Sequence, residues 1–326
     1  MKVFLHLLFC AAFAPAMAGC DRGDSSAASA PVTEVRLGFF PNVTHAQAVL
    51  GVVSGDFAKA VAPAKFTPQQ FNAGPGLIEA LNNHLIDVGY VGPGPVINAF
   101  ARSHGEGIRV VSGAADNGVL IVARKDSGIT KMTDLKGRKI ATPQHGNTQD
   151  IAARHYLTDV LGQTNSDNVL PVNNAEQFSL MQRGDIDAAW VPEPWGSLLI
   201  AQTGAVLVGE EKDLWPDKQF ALTVIVTTPD FLANHPDVVR KLLAVNHDWT
   251  VKLNTNPADC VSKLEEGLTT LTDRKLPPGV VASSIAHVKF TEDPSPATFT
   301  ANARWAFDLN LTKEKLDLAQ LIASPK

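Results

Sequence analysis

Ile86-Asp87-Val88-Gly89-Tyr90-Val91 has a counterpart one hundred positions on, Ile186-Asp187-Ala188-Ala189-Trp190-Val191. Each run follows a helical stretch, with Leu81 and Met181 in matching places. Each leads into a proline-rich loop, Gly92-Pro93-Gly94-Pro95 or Pro192-Glu193-Pro194. The starts match as well. Glu34-Val35-Arg36-Leu37-Gly38-Phe39 alternates polar and apolar as a strand does, and Phe40-Pro41-Asn42-Val43-Thr44 then opens a helix. Lys139-Ile140-Ala141-Thr142 and Pro143-Gln144-His145-Gly146-Asn147-Thr148 repeat that order. Strand–helix alternation of this kind predicts a largely parallel sheet with helices on both faces. Two matches in the same order predict two lobes of one topology.

Working outward, Ala46, Val49, Leu50, Val53 and Phe57 fall at helical spacing, with Thr44 as the expected N-cap. A strand is expected at 65–71, then a helix with Leu77, Ile78, Leu81 and Leu85 inward. The apolar runs at 118–123 and 220–226 read as two crossing strands that form a hinge. Lobe one is then 33–116 and 224–326, and lobe two is 117–223. Pro236 can open a helix, and further helices are expected near 258–271, 278–288 and 296–309.

The chain has 326 residues, 45% hydrophobic and 19% charged, which suits a globular protein of about two domains. Its net charge of −5 provides no basic field for a phosphate backbone, so nucleic acid is not an expected partner. Lys2 followed by an apolar run to Ala18 reads as an export signal over 1–19, and 20–32 as a flexible polar tether. Of three cysteines, Cys10 lies in that signal, Cys20 directly follows it, and Cys260 is an apolar helix residue. No internal disulfide is therefore expected.

In open α/β sheets ligands bind beyond the carboxyl ends of the strands. Helix starts there present unpaired N–H groups and partial positive charge. Three such starts stand out: Asn42, Thr44 and His45; Asn72, Gly74 and Pro75; and Gly146, Asn147, Thr148 and Gln149. Gly92, Glu193 and Trp195 complete the candidate binding set. A Trp can wall an apolar pocket while donating one hydrogen bond; Trp190 and Tyr90 read as core. Glu193, between two prolines, either meets a ligand amine or holds a loop by accepting backbone N–H groups. His45 and His145 occupy matching loops, but no third ligand stands beside either, so neutral hydrogen bonding is expected and no metal or other cofactor. Glu210-Glu211 and Glu265-Glu266 read as solvated faces. Phosphate-loop, zinc-protease and nucleophile-elbow motifs are missing, so the chain reads as a binder rather than an enzyme.

Gly38 to Ala46, Phe71 to Pro75, Ile86 to Pro93, Ala141 to Asp150 and Trp190 to Trp195 together resemble the periplasmic substrate-binding proteins of ABC importers. The nitrate, sulfonate and taurine group is the most similar branch. The resemblance implies a two-lobed, type II-like periplasmic-binding-protein fold that closes on a small organic anion and delivers it to a permease with its ATPase. The ligand-contacting loops would be the helix starts above and the segment around Glu193 and Trp195. Those loops hold no Arg or Lys to pair with a sulfonate. Met17-Ala18-Gly19-Cys20 resembles a lipobox, implying a lipid anchor through Cys20 on the periplasmic side of the inner membrane; a monomer is expected. Pyrimidine-forming synthases of thiamine biosynthesis resemble the same group and supply the alternative enzymatic reading; a sensor-linked binding protein is another.

Overall fold

A computed structural model describes residues 31–325. The export signal, Cys20 and most of the tether lie outside the described residues. Strand β1 (Glu34–Phe39) is followed by a 3-10 turn, Val43–His45, and helix α1 (Ala46–Val53). Thr44 sits inside that turn, and neither Asn42 nor His45 caps with its side chain, so the expected Thr44 cap is not formed. The helix expected to reach Phe57 breaks at Ser54-Gly55 and restarts as α2 (Asp56–Val61). Next come β2 (Lys65–Gln70), α3 (Gly74–Asn82), β3 (Val88–Val91) and α4 (Pro93–Arg102). Leu85 lies past the end of α3 and is exposed, contrary to expectation. Pro93 and Pro95 begin a helix rather than prolong a loop, because proline lacks only an N–H that the first turn leaves unpaired anyway.

The chain continues through β4 (Arg109–Asn117), β5 (Val119–Ala123), β6 (Ile140–Thr142), α5 (Thr148–His155) and β7 (Val169–Pro171). It goes on through α6 (Asn174–Arg183), β8 (Ala188–Pro192), α7 (Trp195–Thr203), β9 (Val206–Glu210) and β10 (Ala221–Thr227). The last elements are α8 (Pro229–Asn234), α9 (Pro236–Thr255), α10 (Pro257–Thr272), α11 (Val280–Ile285), β11 (Val288–Phe290) and α12 (Pro296–Asp308). The helix expected over 278–288 thus gives way to an edge strand at Val288.

Two sheets result, ordered β2-β1-β3-β10-β4-β11 and β7-β6-β8-β5-β9. In the first, β1 pairs in parallel with β2 and β3, and β10 runs antiparallel beside β3. In the second, β6 pairs in parallel with β7 and β8, and β5 runs antiparallel beside β8. The repeated sequence therefore repeats as topology. Leu37 pairs with Val88 and Ile140 with Ala188, so each echoed run flanks the opening strand of its own repeat, β1 or β6. The echoed aspartates do one job twice. Asp87 accepts the backbone N–H of Arg36 at 2.7 Å, and Asp187 accepts that of Lys139 at 3.0 Å. Arg36 and Arg124 supply the countercharges.

Tyr90 and Trp190 are core side chains, as expected. Tyr90 donates to Asn246 Oδ1 at 3.1 Å, and Trp190 Nε1 donates to Glu211 Oε2 at 2.7 Å. Glu211 is fully buried, not solvated as its charge suggested, and also accepts from Trp215 at 3.3 Å. Glu210 is largely buried and faces Lys212 and His287.

The sheets connect at Asn117-Gly118, where both residues have positive φ, 63° and 75°. A Cβ on Gly118 would also meet Val288 at 2.6 Å, so only glycine fits there. Asn117 is tied to Phe220, ahead of β10, by N–H to carbonyl at 3.0 Å and side chain to N–H at 3.3 Å. The two connections thus lie side by side. Helix α12 packs on both α4 and α5, with Trp305 stacked on His155 at 4.2 Å, and so spans both sheets' layers.

Candidate functional site

All six parallel strands, β1, β2, β3, β6, β7 and β8, end at one small cavity of about 30 Å³. Asn42, Thr44 and His45 reach it after β1, Asn72 and Gly74 after β2, and Gly92 after β3. From the second sheet come Asn147, Thr148 and Gln149 after β6, Asn174 after β7, and Pro192 at the end of β8. The space admits roughly two or three water-sized groups. That is the scale of a compact head group.

No Lys, Arg, Asp or Glu lines the cavity among the described residues. The starts of α3, α4 and α5 converge there instead. Each contributes about 0.3–1 kcal/mol toward an anion, so three give about 1–3 kcal/mol. Micromolar binding needs about 8 kcal/mol, so side-chain donors must supply much of the rest, at about 1.5–3 kcal/mol per hydrogen bond to a charge. His45 accepts the Phe40 N–H at Nδ1, 3.3 Å away. Burial drives its pKa down to about 3. The ring is therefore neutral with its proton on Nε2, a donor. Thr148 Oγ1 accepts from Gly94 N–H at 3.2 Å, leaving its own hydrogen to donate. Asn147 caps α5 by accepting from Gln149 and Asp150 N–H at 2.9 and 3.3 Å. Asp150 lies behind the cavity, where Gly146 N–H and Thr142 Oγ1–H donate to it and Arg154 supplies the countercharge.

Nine of the thirteen expected residues line this cavity: Asn42, Thr44, His45, Asn72, Gly74, Gly92, Asn147, Thr148 and Gln149. Four do not. Pro75 stands one position into α3, away from the lining. Gly146 presents its carbonyl to Asn98 Nδ2 at 2.9 Å, a contact between the lobes. Glu193 is fully buried and off the lining, held on the first turn of α7. Its carboxylate accepts Ser197 N–H at 3.0 Å and Ser197 Oγ–H at 2.6 Å, and burial raises its pKa. Trp195 lines a second, larger cavity of about 700 Å³ that shares Asn42, Asn72 and Asn174 with the first. His145 is largely exposed, 3.2 Å from Asp150, and does not join His45. Among the described residues no group of three or more His, Cys, Asp or Glu could hold a metal.

The sequence reading missed eight lining residues: Phe40, Ala73, Pro95, Pro143, Asn174, Pro192, Leu222 and Thr223. Thr223 Oγ1 is buried at the cavity with no hydrogen-bond partner. Its signal was a lone hydroxyl in the otherwise apolar run from Ala221 to Val226.

The chain is 26% identical over 192 residues to a putative binding protein of Brucella abortus, covering 59% of this chain and 58% of that protein. It is 26% identical over 272 residues to the putative aliphatic sulfonates-binding protein of Escherichia coli K12, covering 80% of each. Among solved structures, the alkanesulfonate-binding protein from Xanthomonas axonopodis pv. citri, bound to MOPS, superposes with a TM-score of 0.75. Its identity is 22%, over 91% of this chain and 100% of that one. The periplasmic nitrate-binding protein of Synechocystis PCC 6803 gives 0.62 at 17%, over 73% and 66%. These likenesses establish the two-lobed periplasmic-binding-protein fold. The NMT1-like family model matches residues 28–256, the stretch that holds both echoes and every residue of the expected site, and the chain belongs to that family.

Proposed function

We propose that this protein is the solute-binding subunit of an ABC importer. It captures a small organic anion of sulfonate, taurine or nitrate type between its lobes and hands it to a permease. One observation carries the reading: six strand ends from two sheets meet at a single cavity rich in neutral donors and, among the described residues, free of carboxylates. The aliphatic-sulfonate and alkanesulfonate binding for which the Escherichia coli and Xanthomonas relatives are named supports the same ligand class. The lobes expected at 33–116 with 224–326, and 117–223, move about Asn117-Gly118, with the return boundary drawn ahead of β10 (Ala221–Thr227), which pairs wholly within the first sheet. A solute touching both lobes favours closure by its differential affinity, and the permease reads the closed form. Lipid on Cys20 holds the protein at the membrane as a monomer.

Native mass spectrometry of protein purified without refolding tests this, followed by calorimetry with methanesulfonate, taurine and nitrate. The expected result is one retained anion per chain and saturable binding of a panel member. A retained cation, or no binding by any of the three, contradicts the reading.

A further inference from the structure

The larger cavity opens from the small one across Asn42, Asn72 and Asn174. Its volume of about 700 Å³ falls in the range of small-molecule sites, about 300–1,000 Å³, whereas the inner space admits only a head group. Its character also differs. Phe71, Phe178, Trp195, Leu198, Leu271 and Leu276 wall it, with Phe178 and Trp195 ring centres 6.2 Å apart. Lobe two supplies α6 and α7; lobe one supplies α10 and the loop after it. That loop places Arg274 and Lys275 at the cavity, both exposed and neither in an ion pair among the described residues. No Asp or Glu lines it among the described residues.

We propose that this outer chamber is a second subsite, which takes the apolar body of an elongated ligand and sets Arg274 and Lys275 against an anionic group at its far end. This rests on the reading of the inner cavity as the seat of an anionic head. The ligand class is then a two-ended anion: compact head, aliphatic or aromatic middle, and distal carboxylate or sulfonate. Transfer of the middle out of water supplies affinity in proportion to its length. The two cations select the far end, and because they are exposed their effect is weakened by salt.

Calorimetry on the full chain with methanesulfonate, hexanesulfonate and 6-sulfohexanoate separates the parts. Hexanesulfonate is expected to bind at least tenfold more tightly than methanesulfonate and, unlike it, to change the tryptophan emission of native protein but not that of Trp195→Phe. The double substitution Arg274→Gln, Lys275→Gln is expected to weaken 6-sulfohexanoate about three- to tenfold at low ionic strength. It should leave the other two within about twofold, which also shows that the variant folds. Equal affinity of the methyl and hexyl probes, or an equal loss of all three in the double variant, overturns the outer subsite and leaves the inner one standing. Failure of all three to bind native protein overturns the inner reading and this one with it.

Discussion

The indole Nε1 of Trp195 donates to Asn42 Oδ1 at 3.2 Å, joining the first residue of α7 in one lobe to the loop after β1 in the other. The bond lies where the inner and outer cavities meet, so it both closes the gap and turns the Asn42 amide. Trp195→Phe keeps the ring and removes the donor. One hydrogen bond of this kind contributes about 0.5–1.5 kcal/mol. Methanesulfonate affinity should fall about two- to tenfold, read by calorimetry, with thermal stability nearly unchanged.

Gly94 bears on closure through shape. A Cβ there would lie 2.8 Å from the Thr148 N and 2.9 Å from its Cα, both backbone atoms of the other lobe that cannot swing aside. Within α4 itself alanine is the better helix former by about 1 kcal/mol. Gly94→Ala should therefore keep or raise the melting temperature while holding the lobes apart. A larger radius of gyration in solution scattering, and at least a tenfold loss of affinity, are the expected outcomes.

Glu211 gives a prediction in pH. Burial between Trp190 and Trp215 raises its pKa from 4.5 to about 7. The folded state therefore holds a proton between those values that the unfolded state has released. Stability from this group is complete below 4.5 and is lost as pH rises through 7, by about 3 kcal/mol at most. Asp116 shifts the same way, to about 7, and His45 the opposite way, so the native profile mixes signs. Comparison with Glu211→Gln isolates the one group. The variant loses a hydrogen-bond acceptor at every pH, but its melting temperature relative to native should climb between pH 4.5 and 7 and level off above. A pH-independent difference would contradict this.

Much of this was legible because short-range patterns report it. The echo around Val88 and Ala188 named the third strand of each sheet, and strand-end loops named nine lining residues. Long-range partners were not legible. Glu211 reads as solvent-facing until β8 brings the Trp190 indole to it. Thr223 hid in a crossing strand, since nothing local says which side of β10 meets the cavity. Glu193 was open between two roles, and only the fold shows its carboxylate buried against Ser197 of α7. Arg274 and Lys275 lie far from every candidate loop in sequence, and only the fold brings the segment after α10 to the same outer cavity as α7. Proline misled at Pro93, where a loop signal and a helix start look alike.

The central claim is that both lobes grip one solute. Thr44 belongs to one lobe and Thr148 to the other, and both line the inner cavity. Thr44→Val and Thr148→Val keep side-chain size and remove the hydroxyl. Calorimetric titration of each variant with methanesulfonate is the direct measurement. A single site per chain, weakened about tenfold or more by each change separately, is the predicted result. Native affinity retained by either variant would contradict it.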